Sequence, residues 1–553
     1  MTTEELKGAI QGVMRGEVID DAETLKKASR DTSLFVRMPE LVVYPRDTKD
    51  VSSLVREVAR LRLAGVDVSL TARAAGTDMS GGPLTTSIVV SFTKHMHTVS
   101  EVTETSAVTE PGAFYRDFEK ETLKKGAILP SYPASRSIAG MGGIVANNSG
   151  GERTLKYGKT EKYVEELEVV LSDGTHTTFG PLTPTELAEK KKLPTFEGDI
   201  YREMDELITN NESLIEEHRP RVTKNSAGYA LWSVRDKATG TFNLAKLICG
   251  SQGTLALWTK AKLGLVRPKS RRAMLVIFVH DLAKLPTIVE RVLKQKPESF
   301  ESYDSHTFTL AVKFIPQILS QMGLFRAIRL GFSFIPEAFT VLFGGVPKLL
   351  LMAEFAEDTI EEAQTRAHKA EEALVDLKLQ TKIEKDERSS EKYWIVRRES
   401  FALLRKSVRG LYASPFIDDF VVPPATYPTF LPQLDSLLAE YSKHFIYTIA
   451  GHIGDGNFHI IPLMDLSKPE NRQVVLDLSP RVYKLVLSVG GTTTGEHNDG
   501  IIRTPYLGML FGKEMLTLFE QTKKIFDPRN IFNPGKKVGG TFADIEHDMI
   551  TGV

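Results

Sequence analysis

The sequence predicts an α+β protein of more than one domain, with a cap of strands and helices laid over a cofactor-binding half. Three observations carry this expectation: a length of 553 residues, glycine loops joined to apolar strands in the first half, and a change of pattern after Pro268. A chain of this length exceeds one compact core, so two or three domains follow. Hydrophobic residues at 41% and charged residues at 25% are those of an ordinary folded protein. The formal net charge of -1, with no basic block, gives no support for a nucleic-acid partner. Cys249 is the single cysteine. That excludes an internal disulfide or an iron–sulfur cluster ligated within the chain, and fits a reducing compartment. The N-terminal MTTEELKGAIQGVMRGEVIDD reads as an amphipathic helix and lacks the apolar core of a signal peptide. A cytoplasmic location is expected.

Residues 41–82 read as strand, proline turn, helix, strand and glycine loop. Val42 and Val43 lead into Pro45, and Asp47, Thr48 and Asp50 are helix N-cap candidates. VSSLVREVARLRLAG carries apolar residues at helical spacing, and Val66, Val68 and Leu70 alternate as a strand. That strand runs into RAAGTDMSGG (73–82), whose backbone amides can surround a pyrophosphate. Tight turns alone also need glycine, so one such loop is weak evidence. Two more follow: PASRSIAGMGGIVANNSGG (133–151) and CGSQGTLALWTKAKLGLV (249–266). Between them, KYGKTEKYVEELEVVLSDG leads into an Asp-Gly hairpin. The GxGxxG fingerprint of a simple dinucleotide fold is absent.

After Pro268, MLVIFVHDL and KLLLMAEF read as strands, and LPTIVERVLKQ and DTIEEAQTRAHKAEEALVDLKL as helices. The apolar stretch 308–352 is broken by charges and three prolines and never reaches the ~18 residues of a membrane span. Two short amphipathic helices forming a lid or dimer contact are one reading of it. Interfacial contact with a membrane, bringing the protein to a quinone, is the other.

GHIGDGNFH (451–459) and TTGEHNDG (493–500) concentrate the chemistry. His452 and His459 flank a Gly-Asp-Gly turn, at the ends of two expected short strands. With Glu496 they make an open first shell for a divalent metal, zinc or manganese by ligand type. His497 beside that shell is placed to move a proton. Any one of these histidines alone could be an idle loop residue; two glycine-crowded segments carrying the whole set favour function. In WIVRRES (394–400), Arg397 and Arg398 fall on an expected helix, and either could clamp a carboxylate or simply face solvent. Arg503 is a further candidate clamp.

RAAGTDMSGG, SIAGMGGIVANNSGG with KYG and VVLSDG, and GSQGTLALWT resemble the FAD-binding half of vanillyl-alcohol-oxidase-type flavoproteins. FDPRNIFNPGKKV (526–538) resembles the segment that closes such chains against the flavin. FIDDFVVPP, GHIGDGNFH and TTGEHNDGIIR narrow the likeness to the FAD-linked D-2-hydroxyacid dehydrogenases, over about Asp31 to Lys537. The resemblance implies an FAD-binding domain at 1–268, a ferredoxin-like substrate cap with the metal site at 269–500, and a closing segment at 501–553. It implies that residues 76–82 and 137–143 hold the FAD pyrophosphate: Gly76, Thr77, Asp78, Ser80, Gly81 and Gly82 in one loop, Ser137, Gly140, Gly142 and Gly143 in the other. Arg73, Pro133, Asn147, Gly150 and Gly253 lie with them, and Asn533 close to the isoalloxazine. Thr77 occupies the loop where some relatives attach flavin through a histidine, so FAD is expected to be non-covalent. Gln252 stands where the family often has an acid.

The implied activity is oxidation of a D-lactate-like or D-2-hydroxyglutarate-like acid to the 2-oxoacid, with hydride passing to flavin N5. His452, His459 and Glu496 hold the metal, His497 takes the hydroxyl proton, and Arg398, better matched than Arg397 to the family's Arg-Glu pair, binds the carboxylate. Ile417 stands two residues before Asp419, near where relatives handling a second carboxylate can carry lysine, so that contact does not transfer. Electrons pass to a separate acceptor: electron-transfer flavoprotein, a quinone or a distinct iron–sulfur protein. The rival readings are a flavin-dependent transferase like alkylglycerone-phosphate synthase, and an idle FAD subunit that relays electrons.

Overall fold

The structure, a computed structural model, describes residues 1–305, 345–407 and 410–551, with side chains left out at 398–407. Strand Leu41–Tyr44 pairs parallel with Ile88–Ser91, which pairs parallel with Leu70–Arg73; Glu17–Ile19 adds an antiparallel edge. A parallel pair needs a crossover, supplied by helix Thr48–Leu63. Asp47 caps that helix by accepting from the Lys49 and Asp50 amides, and Val51, Leu54, Val55, Val58 and Leu61 bury one face. Alternation at Val66, Val68 and Leu70 predicts a longer strand than forms. The ladder starts only at Leu70, because its neighbour offers a first partner there, Leu70 against Ile88.

A five-stranded antiparallel sheet follows, ordered Val99–Ser100, Ser106–Thr109, Leu257–Gly264, Val164–Val170 and His176–Phe179. The last two form the hairpin expected at SDG, where Asp173 accepts from the Thr175 amide and Gly174 takes a φ of +82°. Near the other terminus, helix Leu507–Phe526 returns to this region. Its Phe511, Met515 and Phe519 share a core with Phe118, Tyr201 and Phe242. Phe532 then bridges to Leu70.

Arg271 begins a seven-stranded antiparallel sheet, ordered Gln380–Glu384, Arg271–Val279, Leu349–Glu357, Ser299–Asp304, Ile449–His452, Asn457–Ile460 and Phe420–Val421. Along Arg271–Val279 the side chains alternate between two cores. Leu275, Ile277 and Val279 face helices Leu285–Lys294 and Ile360–Glu372, whereas Met274, Val276 and Phe278 meet Tyr393 and Val396 of helix Glu387–Ser407. The lid or membrane contact expected at 308–352 lies outside the described residues up to 344, and its end is strand Leu349–Glu357. No helix among the described residues is long and apolar enough to cross a membrane.

The turn between the two histidine-bearing strands depends on Gly456, at φ +74°, where a Cβ would sit 1.9 Å from the Val422 carbonyl oxygen. Gly456→Ala should therefore destabilise the protein by about 1–3 kcal/mol or more, read as a lowered Tm.

Candidate active site

A cavity of about 560 Å³ is lined at one end by the glycine loops and at the other by the histidine-bearing strands. From the first loop come Arg73, Gly76, Thr77, Asp78 and Gly82. Pro133, Ser137, Gly140, Gly142 and Gly143 come from the second. Asn147, Gly150 and Gly253 complete this end.

Among the described residues, the successive amides of Ala75, Gly76, Thr77 and Asp78 donate to no protein acceptor. Such a run of free N–H groups is a ready anion cradle. Asp78 does not oppose it, because its carboxylate is occupied. Oδ2 accepts from Ser80 N, Ser80 Oγ and Gly82 N, and Oδ1 from Asn147 Nδ2 at 2.7 Å. Gly140 and Gly142 let the second loop touch the first, since a Cβ on either would lie 2.9 or 3.0 Å from the Ala74 methyl. At Gly143 a Cβ would meet nothing within 4 Å, so the missing side chain is cavity space. Gln252 joins the parts: Nε2 reaches Ser80 Oγ at 3.2 Å and Asn147 Oδ1 at 3.3 Å, and Oε1 accepts from the Gly500 amide at 2.9 Å.

Three residues expected at the cofactor, Ser80, Gly81 and Asn533, are not among those lining this cavity. Ser80 is fully buried beneath its loop on Asp78, and Gly81 packs on Phe35 and Ile501. Asn533 donates to the carbonyls of Gly82 at 3.0 Å and Gln252 at 2.8 Å and accepts from Thr71 Oγ1. With every polar atom of its amide engaged, it ties two loops together rather than facing the cavity.

At the far end, the antiparallel register sets Ala450 against His459 and His452 against Asn457. His452 and His459 thereby reach one place, their rings 5.3 Å apart and nearly perpendicular. His452, His459 and Glu496 each offer a donor atom within 4.8 Å of the others. Each imidazole is oriented through Nδ1: His452 by Glu301 Oε1 at 2.6 Å, His459 by Asp418 Oδ1 at 3.2 Å. The other oxygen of Asp418 holds His497 Nδ1 at 2.6 Å, so one carboxylate sets two stacked rings whose centroids are 5.1 Å apart. This anchoring leaves Nε2 of His459 and His497 for the cavity, whereas His452 Nε2 lies 3.3 Å from Glu496 Oε1; rings anchored through one nitrogen are the usual arrangement around a metal.

Asp419, at φ +68°, accepts from the Glu496 and His497 amides at 2.9 and 2.7 Å and fixes their backbone. Burial disfavours a charged His497, but Asp419 and Asp418 outweigh it and hold the ring at about 9. The same contest, decided by Glu301, holds His452 at about 9. For Glu496, burial is overcome by Lys224 and His452, which keep its carboxyl well below the usual range.

The arginines fall differently from expectation. Arg397 lines the cavity beside Thr448 and Ile461, with Nη2 3.2 Å from Glu301 Oε2. Arg398 is on the same helix, but its side chain is outside the described residues. Arg503 is not a clamp at the cavity: it is fully buried, donating to the carbonyls of Asn498 at 3.0 Å and Asp418 at 2.7 Å. It braces the loop that carries His497. Asp418, Glu301 and Lys224 belong to the site without having been singled out from the sequence. Only the acid pair Asp418-Asp419, inside an apolar run, gave a signal, since buried carboxylates need partners.

Glycine loops with free amides over a cavity, closed by an antiparallel sheet carrying polar chemistry, define a two-domain flavoprotein fold of the vanillyl-alcohol-oxidase type. Residues 39–180 match the FAD binding domain, and residues 267–537 the C-terminal domain of FAD linked oxidases. The chain thus carries an FAD binding domain and the C-terminal domain of FAD linked oxidases. It is 28% identical to a D-2-hydroxyglutarate dehydrogenase of Pseudomonas putida over 94% of its own length and 50% of that protein's. It thus spans about half the length of that relative. It is 26% identical to the glycolate oxidase subunit GlcD of Bacillus subtilis, over 97% of each chain. Among solved structures, 4-ethylphenol oxidase from Gulosibacter chungangensis shares the fold at a TM-score of 0.67 and 15% identity, covering 98% of this chain and 99% of that one. Alkyldihydroxyacetonephosphate synthase shares it at 0.62 and 14%, covering 94% and 82%.

Proposed function

We propose that this chain oxidises a D-2-hydroxyacid, lactate-like or 2-hydroxyglutarate-like, to the 2-oxoacid and passes the electrons to a separate acceptor. The observation that carries the reading is Asp418 holding His459 and His497 by their Nδ1 atoms at the edge of a flavin-binding cavity. His452, His459 and Glu496 would hold a divalent metal, zinc or manganese; the donor set fits, with two Nδ1-anchored imidazoles and one carboxylate. When bound, non-covalent FAD supplies a two-electron acceptor and the metal a Lewis acid for the substrate hydroxyl. His497 Nε2 takes the hydroxyl proton as the C2 hydride leaves, and Asp418 stabilises the imidazolium that results. Arg397 presents its guanidinium to the substrate carboxylate, with Arg398 a second candidate from the same helix. The cradle of Ala75–Asp78 amides holds the FAD pyrophosphate.

Thr77 stands in the first glycine loop where a covalent link would need histidine, so acid precipitation should release all flavin to the supernatant. The relatives named as acting on D-2-hydroxyglutarate and glycolate support the substrate class. The likeness to alkyldihydroxyacetonephosphate synthase is one of fold; no feature of the cavity favours the transferase. The acceptor is an electron-transfer flavoprotein, a quinone or an iron–sulfur protein.

A dye-linked assay tests the proposal. D-2-hydroxyacids should yield 2-oxoacid with reduction of an artificial electron-accepting dye, and L-enantiomers should not; equal turnover of both enantiomers would refute the stereochemical part. Arg397→Met should raise KM about 10–100-fold while leaving FAD content unchanged. An unchanged KM would remove Arg397 from substrate binding.

A further inference from the structure

A buried ammonium lies against one of the groups assigned above to the metal. Lys224 is fully buried, and its Nζ stands 2.6 Å from Glu496 Oε1 and 3.1 Å from Asp455 Oδ2. Asp455 sits in the turn that joins the strands of His452 and His459. Glu496 comes from a loop about forty residues further on. Lys224 therefore links the two segments from which all the proposed ligands come. It is buried behind the cavity and is not among the residues that line it.

The short segment around Lys224 repeats the same connection. Thr223 Oγ1 donates to the Asp455 carbonyl, Ser226 N to the Thr494 carbonyl at 3.0 Å, and Gly228 N to Asp499 Oδ2 at 2.9 Å. Thr492 Oγ1 donates to Asn225 Oδ1 at 2.6 Å. Residues 223–228 thus hold the histidine turn with one edge and the Glu496 loop with the other. Without the ammonium, two buried carboxylates on separate loops would face each other unscreened, and like charges in a low-dielectric site push apart.

We infer that Lys224 is a positioning residue: it draws Asp455 and Glu496 together, so that Glu496 is aimed at the point where His452 and His459 converge. The inference rests on the metal reading proposed above. Two effects of losing Lys224 oppose each other. Removing a cation favours metal binding electrostatically, and releasing Glu496 disfavours it. The pair Lys224→Met with Asp455→Asn separates them, because it removes one positive and one negative charge and leaves the net charge of the site unchanged.

The test measures Zn²⁺ affinity of the FAD-loaded full chain by competition with a chromophoric chelator, alongside flavin content and Tm. The pair should keep FAD and bind Zn²⁺ at least about ten-fold more weakly than the original chain. In a Glu496→Gln background it should cause no further loss, because Lys224 acts through that carboxylate. A merely stabilising Lys224–Asp455 pair would lower Tm and leave Zn²⁺ affinity alone. Should the pair fail to fold, Lys224→Gln with Asp455→Asn, which keeps hydrogen-bond donors at position 224 and the same net charge, carries the same test. Unaltered Zn²⁺ affinity in the variants overturns the positioning role and spares the metal reading. Failure of the original chain to bind Zn²⁺ or Mn²⁺ overturns both.

Discussion

Replacing His497 by alanine should leave FAD bound and lower the rate of anaerobic flavin bleaching by substrate by about 10²–10⁴-fold, the usual worth of a positioned general base. The ring is held through Nδ1 by Asp418 and through its backbone amide by Asp419, so its free nitrogen is fixed towards the cavity. Two buried carboxylates stabilise its protonated form, holding it at about 9. That favours a ring able to keep a proton once taken. A divalent cation at His452, His459 and Glu496 would oppose the charge on this ring and favour the neutral base before reaction. Flavin content by absorbance and bleaching by stopped flow check the two halves of the prediction. Bleaching at the original rate would remove His497 from proton transfer.

Asp418→Asn should be nearly as damaging, and for a different reason. One carboxylate orients both His459 and His497, and it is fully buried with its carboxyl held well below the usual range by those two rings. An amide can accept from only one of them, and its NH₂ would oppose the Nδ1–H of the other. Metal affinity should fall about 10–100-fold through His459, with a further loss of bleaching rate through His497. His459→Ala should lower metal content while keeping the base in place. Metal analysis and stopped flow separate the two variants. Equal metal content in Asp418→Asn and the original chain would show that Asp418 does not orient a ligand.

Much of this arrangement was legible in the sequence, for physical reasons. GHIGDGNFH sets two histidines about a turn that only glycine satisfies, and the strand period carries both to one point. GEHNDG brings the carboxylate and third imidazole on a loop too tight for bulky filling. The glycine loops were equally plain, since backbone must approach backbone there. Residues that act on other residues were not legible. Glu301 lies 151 positions from His452 and Lys224 272 from Glu496, and no local pattern pairs them. Arg503 misled for a related reason: a guanidinium in a glycine-bounded loop reads as exposed, whereas the fold buries it on two carbonyl oxygens. Asn533 and Ser80 stand in motifs that suggest cofactor contacts. Their side chains turn inward to hold those motifs in shape.

The most direct test of the central claim is an anaerobic absorbance titration of the FAD-loaded, metal-loaded protein against a panel of D- and L-2-hydroxyacids. Bleaching of the flavin band by a D-acid, and not by its L-enantiomer, is the result expected here and would name the substrate. A yellow protein that none of the acids bleaches would contradict the dehydrogenase reading and turn attention to transfer or electron-relay chemistry on the same fold.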